Sequence, residues 1–217
     1  MNKRPKAQIV KFSPLRLRKN LEDGEFALLT WSSRNGYPRI TVFTENKNKT
    51  ETFDFNRMIS APFDYTTLNS FIEMFETVIN GEKDKSYKLD CFNMKYVNNE
   101  RTDEKYLQAS VTIGKNKNGI VFLAVVEEGK PKIAFDLNYT TFFKVYKDNE
   151  PVTDAGELSC LYAKGYIRTL KKIVGIRMVE ETVNQQSLAA TNPASTTAPV
   201  NKSSNVDANG IDPDDLF

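Results

Sequence analysis

The feature that most constrains this chain is apolar–polar alternation across residues 24–138, interrupted once by a helical period. GEFALLTW (24–31) is an apolar run, and SSRNGYPR (32–39) supplies an Asn-Gly pair at 35–36, the strongest short hairpin signal. RITVFTE (39–45) and TETFDFN (50–56) alternate, with polar NKNK (46–49) between them. The period then changes. Leu68, Phe71, Ile72, Phe75, Val78 and Ile79 keep helical spacing, with Asp64 as candidate cap and Gly81 as stop. Alternation returns in SYKLDCFNMKYV (86–97), EKYLQASVTIG (104–114) and GIVFLAVVEEG (119–129), and more weakly in KPKIAFDLN (130–138). A second helix is expected over 153–175, capped by Thr153 or Asp154, with Leu158, Leu161, Tyr162, Tyr166, Leu170 and Ile173 on its buried face. Successive strands with no helix between each pair must be antiparallel, because parallel neighbours need crossovers. The expected class is mainly β: an OB-fold-like antiparallel barrel with an inserted helix and a C-terminal helix, then a disordered tail. The sequence itself shows no internal repeat.

After Val183 the composition changes to Asn, Ser, Thr, Ala and Pro, with no aromatic residue until Phe217. Such a stretch buries too little apolar surface to offset the entropy of ordering it. The expected division is therefore a nucleic-acid-binding domain over 1–183 and a disordered linker with an acidic tip over 184–217. Charge follows the same boundary. Thirty Lys and Arg against twenty-eight Asp and Glu give a net +2. Residues 184–217 hold Lys202 against Asp207, Asp212, Asp214 and Asp215, which puts the tail at −3 and the rest at +5. The first nineteen residues carry seven bases and no acid. A basic body suits a polyanion, and an ordinary solvated surface is the alternative.

Catalytic constellations find little support. Histidine is absent, which removes Ser-His-Asp and Cys-His arrangements and the commonest metal ligand. Cys91 and Cys160 are too few for a zinc set and read as core thiols. GEKDKS (81–86) lacks P-loop spacing, and DANGIDPDD (207–215) places its glycine wrongly for a calcium loop. The chain is read as a non-enzyme with no cofactor and no metal. No apolar run reaches the roughly 18 residues that cross a bilayer. MNKRPKAQIV has no apolar stretch behind its bases, so the expected location is the cytoplasm, that of the host if the protein is viral.

Nucleic-acid signals are stronger. Single strands are held by a basic groove along the phosphates and by aromatic rings beneath the bases. Aromatics on the polar side of a strand are therefore the informative ones. Arg39, Thr41 and Phe43 alternate against Ile40 and Val42, and Tyr106 falls with Gln108, Ser110 and Thr112. Tyr146 shares a side with Lys144, while Trp31 and Tyr37 flank Arg34 at the hairpin turn. Trp31 is equally a core candidate, Phe43 has packing under the inserted helix as its alternative, and Phe53 and Phe55 read as core. On the second helix Lys164, Arg168, Lys171 and Lys172 lie within about 100° of one another, a phosphate surface or a solvated face. Nothing resembles a recognition helix or zinc finger, which favours single strands, with duplex as a second possibility.

The C-terminal NGIDPDDLF sets Ile211, Pro213, Leu216 and Phe217 among Asp212, Asp214 and Asp215. A strand-rich basic domain, a polar linker and an acidic, phenylalanine-terminated tip resemble the single-stranded DNA-binding proteins of replication, most of all those of tailed bacteriophages. The likeness covers the plan of the chain and these nine residues, with the order of the tip changed. It implies non-specific coating of single-stranded DNA and recruitment of replication or recombination partners through Asp212, Asp214, Asp215, Leu216 and Phe217. An apolar end amid carboxylates suits a pocket with a basic rim. DDLF is also similar to peptides that dock on sliding clamps, so a clamp-associated factor is one alternative reading. A duplex-coating structural protein is another.

Overall fold

The computed structural model describes residues 9–22, 24–34, 36–45, 53–97 and 100–191. The first sheet holds β1 (Ile9–Lys11), β2 (Leu17–Asn20), β3 (Phe26–Arg34), β4 (Tyr37–Glu45) and β5 (Phe53–Pro62). The second holds β6 (Lys85–Val97), β7 (Glu100–Lys115), β8 (Val121–Val126) and β9 (Ile133–Asp136). β1 and β2 pair with successive stretches of the same β3 edge, on either side of a 3-10 turn at Ser13–Leu15. Each sheet thus has four strand positions, and each is followed by a helix, α1 (Tyr65–Asn80) or α2 (Ala155–Thr191). The described residues thus form two successive antiparallel units, of five strands and of four, each followed by a helix. Between β9 and α2 a small hairpin, β10 (Tyr146–Lys147) with β11 (Glu150–Pro151), turns through Asp148 and Asn149 at φ of 51° and 69°.

This is the mainly β architecture that the alternation implied, with one helix midway and one after the last sheet. The sheets touch through β5 against β7 and β8, and through β2 against β9. Closure into a barrel is carried by no described ladder. Period-two burial puts Leu29, Trp31, Ile40, Val42, Ile59 and Ala61 on the inner face of the first sheet. Ala109, Val111, Ile113, Leu123, Val125, Ile133 and Phe135 line that of the second, and all belong to one core. At the β3–β4 turn Arg34 pairs with Tyr37, and Gly36 takes φ of 83°, a left-handed conformation open to glycine at little cost.

α1 matches its sequence pattern closely. Its six apolar positions are all buried. The Asp64 carboxylate accepts hydrogen bonds from the Thr67 amide at 2.7 Å and the Thr67 hydroxyl at 2.8 Å, and these bonds hold its pKa below the usual carboxylate value. At the other end, the buried Lys115 donates to the carbonyls of Ile79 and Gly81 at 2.8 and 2.7 Å. A cation there satisfies orphan carbonyls and complements the helix dipole.

α2 departs from expectation in two ways. It continues to Thr191, eight residues into the stretch read as disordered linker. Residues 176–191 contain no glycine or proline, and Pro193 is the first breaker beyond them. Local helix propensity thus carries the helix past Val174, the last buried position among the residues whose burial is described. The buried face is Ser159, Ala163, Tyr166, Ile167, Leu170 and Val174, whereas Leu161 is exposed. Ser159 ties the helix to the second sheet: its hydroxyl accepts from the Val121 amide at 2.9 Å and donates to the Leu137 carbonyl at 2.7 Å. Among the described residues no helix is long and apolar enough to cross a membrane.

Candidate nucleic-acid interface

The register of the first sheet decides which side chains share its outer face. Ser32 pairs with Arg39, Arg34 with Tyr37, Thr30 with Thr41 and Leu28 with Phe43. On β5, Pro62 lies opposite Arg39 and Ser60 opposite Thr41. Arg18 and Asn20 of β2 pair with Leu28 and Phe26. The face therefore runs from a cationic end at Arg34, Tyr37 and Arg39, over hydroxyls of Thr30, Thr41 and Ser60, to an aromatic end. Nine residues of β3 make it about 30 Å long.

Arg34 and Arg39 are diagonal neighbours on this face, and both are half-buried. Neither makes an ion pair among the described residues, and the Nε atoms of both are buried without a hydrogen-bond partner. Burial, and then the charge of Arg34, lowers the Arg39 pKa below the usual arginine value. A guanidinium stays protonated even so. Two adjacent cations with unmet donors, partly withdrawn from water, attract an anion that brings oxygen acceptors. Tyr37 stands beside them, 61 % exposed. The Ser60 hydroxyl is likewise buried without a partner.

The aromatic end forms around a register shift in the β4–β5 ladder between Val42 and Thr44. There Phe43 packs against Phe53, with ring centroids 5.2 Å apart, and edge-on against Phe55 at 6.5 Å. Phe53 also meets Phe26 edge-on at 5.9 Å, and the Arg18 guanidinium lies 4.1 Å from the Phe26 ring centroid. Phe43 is only 5 % exposed and sits outside the main core, so it lies neither under α1 nor open to a base. The accessible rings are Phe55, which is exposed, and the half-buried Phe26 and Phe53. Reading Phe53 and Phe55 as core was therefore wrong; the register shift brings them onto the outer face.

Trp31 is a core residue. It is 1 % exposed, stacks on Phe63 at 5.8 Å, and its Nε1 donates to the Tyr166 hydroxyl at 2.8 Å. That hydroxyl donates in turn to the Leu15 carbonyl at 3.2 Å, joining β3, α2 and the 3-10 turn. The parity that put Arg39 and Phe43 outward puts Trp31 with Leu29 inward. It cannot stack a base.

The remaining candidates are dispersed. Tyr106 is exposed on the second sheet, opposite Asn93 in the β6–β7 ladder. Lys144 and Tyr146 are exposed in the segment between β9 and α2, beside Phe142 and Phe143, which are 90 % and 66 % exposed. Lys164, Arg168 and Lys172 are exposed on α2 with no ion pair among the described residues. Lys171 is instead held by Glu73 at 3.1 Å and Glu76 at 3.5 Å on α1, which raises its pKa and commits it to helix packing. Asp212, Asp214, Asp215, Leu216 and Phe217 lie outside the described residues.

Of the twelve residues expected to meet nucleic acid, the structure brings Arg34, Tyr37, Arg39 and Phe43 onto one face. Sequence reasoning missed Arg18, Phe26, Phe53, Phe55 and Ser60 on that face. Outward parity was legible for Phe26, but the pairing of β2 with β3 that adds Arg18 was not. Among the described residues no cluster of three or more His, Cys, Asp or Glu could hold a metal ion. The Cys91 thiol is buried and pushed up to about 11 by burial first and Asp90 second, the environment of a core thiol. No family model and no curated protein matches the chain.

Proposed function

We propose that this is a sequence-nonspecific single-stranded DNA-binding protein, and that the outer face of the first sheet is its DNA surface. The observation that carries the reading is the Arg34–Arg39 pair, which has buried unpartnered Nε atoms and no ion pair among the described residues, set on one face with exposed Tyr37 and Phe55. Phosphates meet the guanidinium donors, and bases stack on the rings around Phe53. A face built of strands presents no recognition helix to a groove, which favours single strands over duplex. In this reading the acidic tip at Asp212, Asp214, Asp215, Leu216 and Phe217 recruits replication or recombination proteins. The cytoplasm is the site of action.

The test is a fluorescence-anisotropy titration of labelled oligo-dT and of a duplex of equal length across a salt series. Oligo-dT should bind more tightly at every salt concentration and retain affinity when charge is screened, because stacking survives screening. Equal or tighter duplex binding would replace this reading with a duplex-coating one. The buried Trp31 is a poor reporter, so the label belongs on the DNA. Deleting 209–217 should leave or raise oligo-dT affinity while abolishing partner capture.

A further inference from the structure

The second sheet ends in an arm. β8 pairs with β7 only over Ser110–Lys115, whereas β6 and β7 continue together from Phe92–Leu107 out to Val97–Glu100. Leu107, aligned in sequence with the core residues Ala109 and Val111, lies beyond the reach of β8 and is exposed. Phe92, Tyr96 and Val97 are exposed with it. β6 is also an edge strand: β7 is its neighbour on one side, and no described backbone hydrogen bond reaches the other. Its thirteen residues contain no glycine or proline. Both irregularities in the β6–β7 ladder place their extra residues on β7, because Cys91 and Phe92 pair with Ala109 and Leu107, and Met94 and Tyr96 with Lys105 and Arg101. The edge strand itself stays regular, without the bulges that usually blunt an edge.

We propose that β6 is a self-association edge, through which two copies of this chain pair antiparallel, β6 to β6, into a continuous eight-stranded sheet. Charge favours a second copy over a polyanion. Residues 92–107 carry Lys95, Arg101 and Lys105 against Glu100, Asp103 and Glu104, a net charge of zero on an otherwise basic body. Lys95 is already neutralised by Glu104 at 2.8 Å and Lys88 by Asp90 at 2.8 Å. A two-fold axis perpendicular to the sheet opposes residues of equal parity, and one centred on Asn93 uses the apolar positions best. It sets Phe92 opposite the second copy's Met94, and Leu89 opposite its Val97, each pairing made twice. Lys95 then faces Cys91 and Asp90 faces Tyr96, so no like charges are opposed.

Sedimentation velocity on the full chain without nucleic acid tests this. The wild type should sediment as a dimer, and Phe92→Glu should weaken self-association by about tenfold or more while circular dichroism stays unchanged. Directly opposed residues in an antiparallel pair lie about 4.5–5.5 Å apart at Cα, within disulfide range. Asn93→Cys should therefore give a covalent dimer under mild oxidation, and the wild type should not. A wild type that is monomeric at its highest soluble concentration overturns the proposal. So does a dimer that resists Phe92→Glu, or that Asn93→Cys fails to cross-link. Loss of oligo-dT affinity on Phe92→Glu in a monomeric wild type would assign the arm to nucleic acid instead.

Discussion

The two sheets share a four-strand plan and bury similar inner faces, yet their outer faces differ. On the first, Arg18, Arg34 and Arg39 stand with Glu45, whose carboxylate is engaged by the Phe26 amide at 3.3 Å. On the second, register places Ser86, Lys88, Asp90, Ser110, Thr112, Gly114, Phe122, Ala124, Ala134 and Asp136. Lys88 is neutralised by Asp90, which also accepts from the Ser110 hydroxyl. The Phe122 ring lies down on Gly114, so closely that a Cβ there would fall 2.5 Å from it. One face offers unmet donors and open rings; the other pairs its one lysine with Asp90 and packs its Phe122 ring against Gly114. The backbone plan does not select a binding face. The side chains at outward parity make the difference, and the proposed function rests on them.

The largest effect that would sharpen this contrast is on charge. Arg34→Ala with Arg39→Ala should weaken oligo-dT binding by about 100-fold or more at low salt, from roughly 1.5–3 kcal/mol per charged hydrogen bond. The dependence of log affinity on log salt should fall by about 0.7 for each phosphate that is no longer neutralised. Lys88→Ala on the second sheet should change affinity less than about twofold. Equal losses from both sheets would break the comparison.

Stacking comes next. Phe55→Ala should cost about 1–3 kcal/mol of oligo-dT affinity, most visible at high salt where phosphate attraction is screened. Phe122→Leu should leave affinity unchanged, because its ring is already packed against the sheet.

The smallest effect tests the likeness of the two units rather than their difference. Asp64 caps α1 through the Thr67 amide, and Asp154 accepts from the Glu157 amide at 2.6 Å at the start of α2. Alanine at either position should cost about 1 kcal/mol in urea denaturation. The Asp64 pKa is depressed in the folded state, so its contribution is complete above the unfolded carboxylate value near 4 and fades as pH falls through the folded one. Asp64→Ala should therefore flatten part of the acid limb of the stability profile.

Much of this molecule was legible in its sequence, and the rest failed for identifiable reasons. Period two gave the strands and the outward parity of Arg39 and Phe43, and period 3.6 gave all six buried positions of α1. Trp31 remained ambiguous because an aromatic at the end of an apolar run has the same local pattern in a core as on a platform. Its hydrogen bond to Tyr166, 135 residues away, resolved it. Phe53 and Phe55 were misplaced because their face depends on a register shift that no local pattern encodes. Lys171 resembled a phosphate ligand until α1 brought Glu73 and Glu76 beside it. The extension of α2 was hidden because polarity suggests disorder while propensity suggests helix, and here propensity prevailed.

In the proposed function one outer face, not the other, holds single-stranded DNA. Photocrosslinking of bromodeoxyuridine-substituted oligo-dT, mapped by mass spectrometry, reads this directly. Cross-links at Tyr37, Phe26, Phe53 or Phe55, with none at Phe122, are the expected result. Cross-links concentrated at Phe122, or at Phe142 and Phe143, with the first sheet unlabelled, would contradict the account.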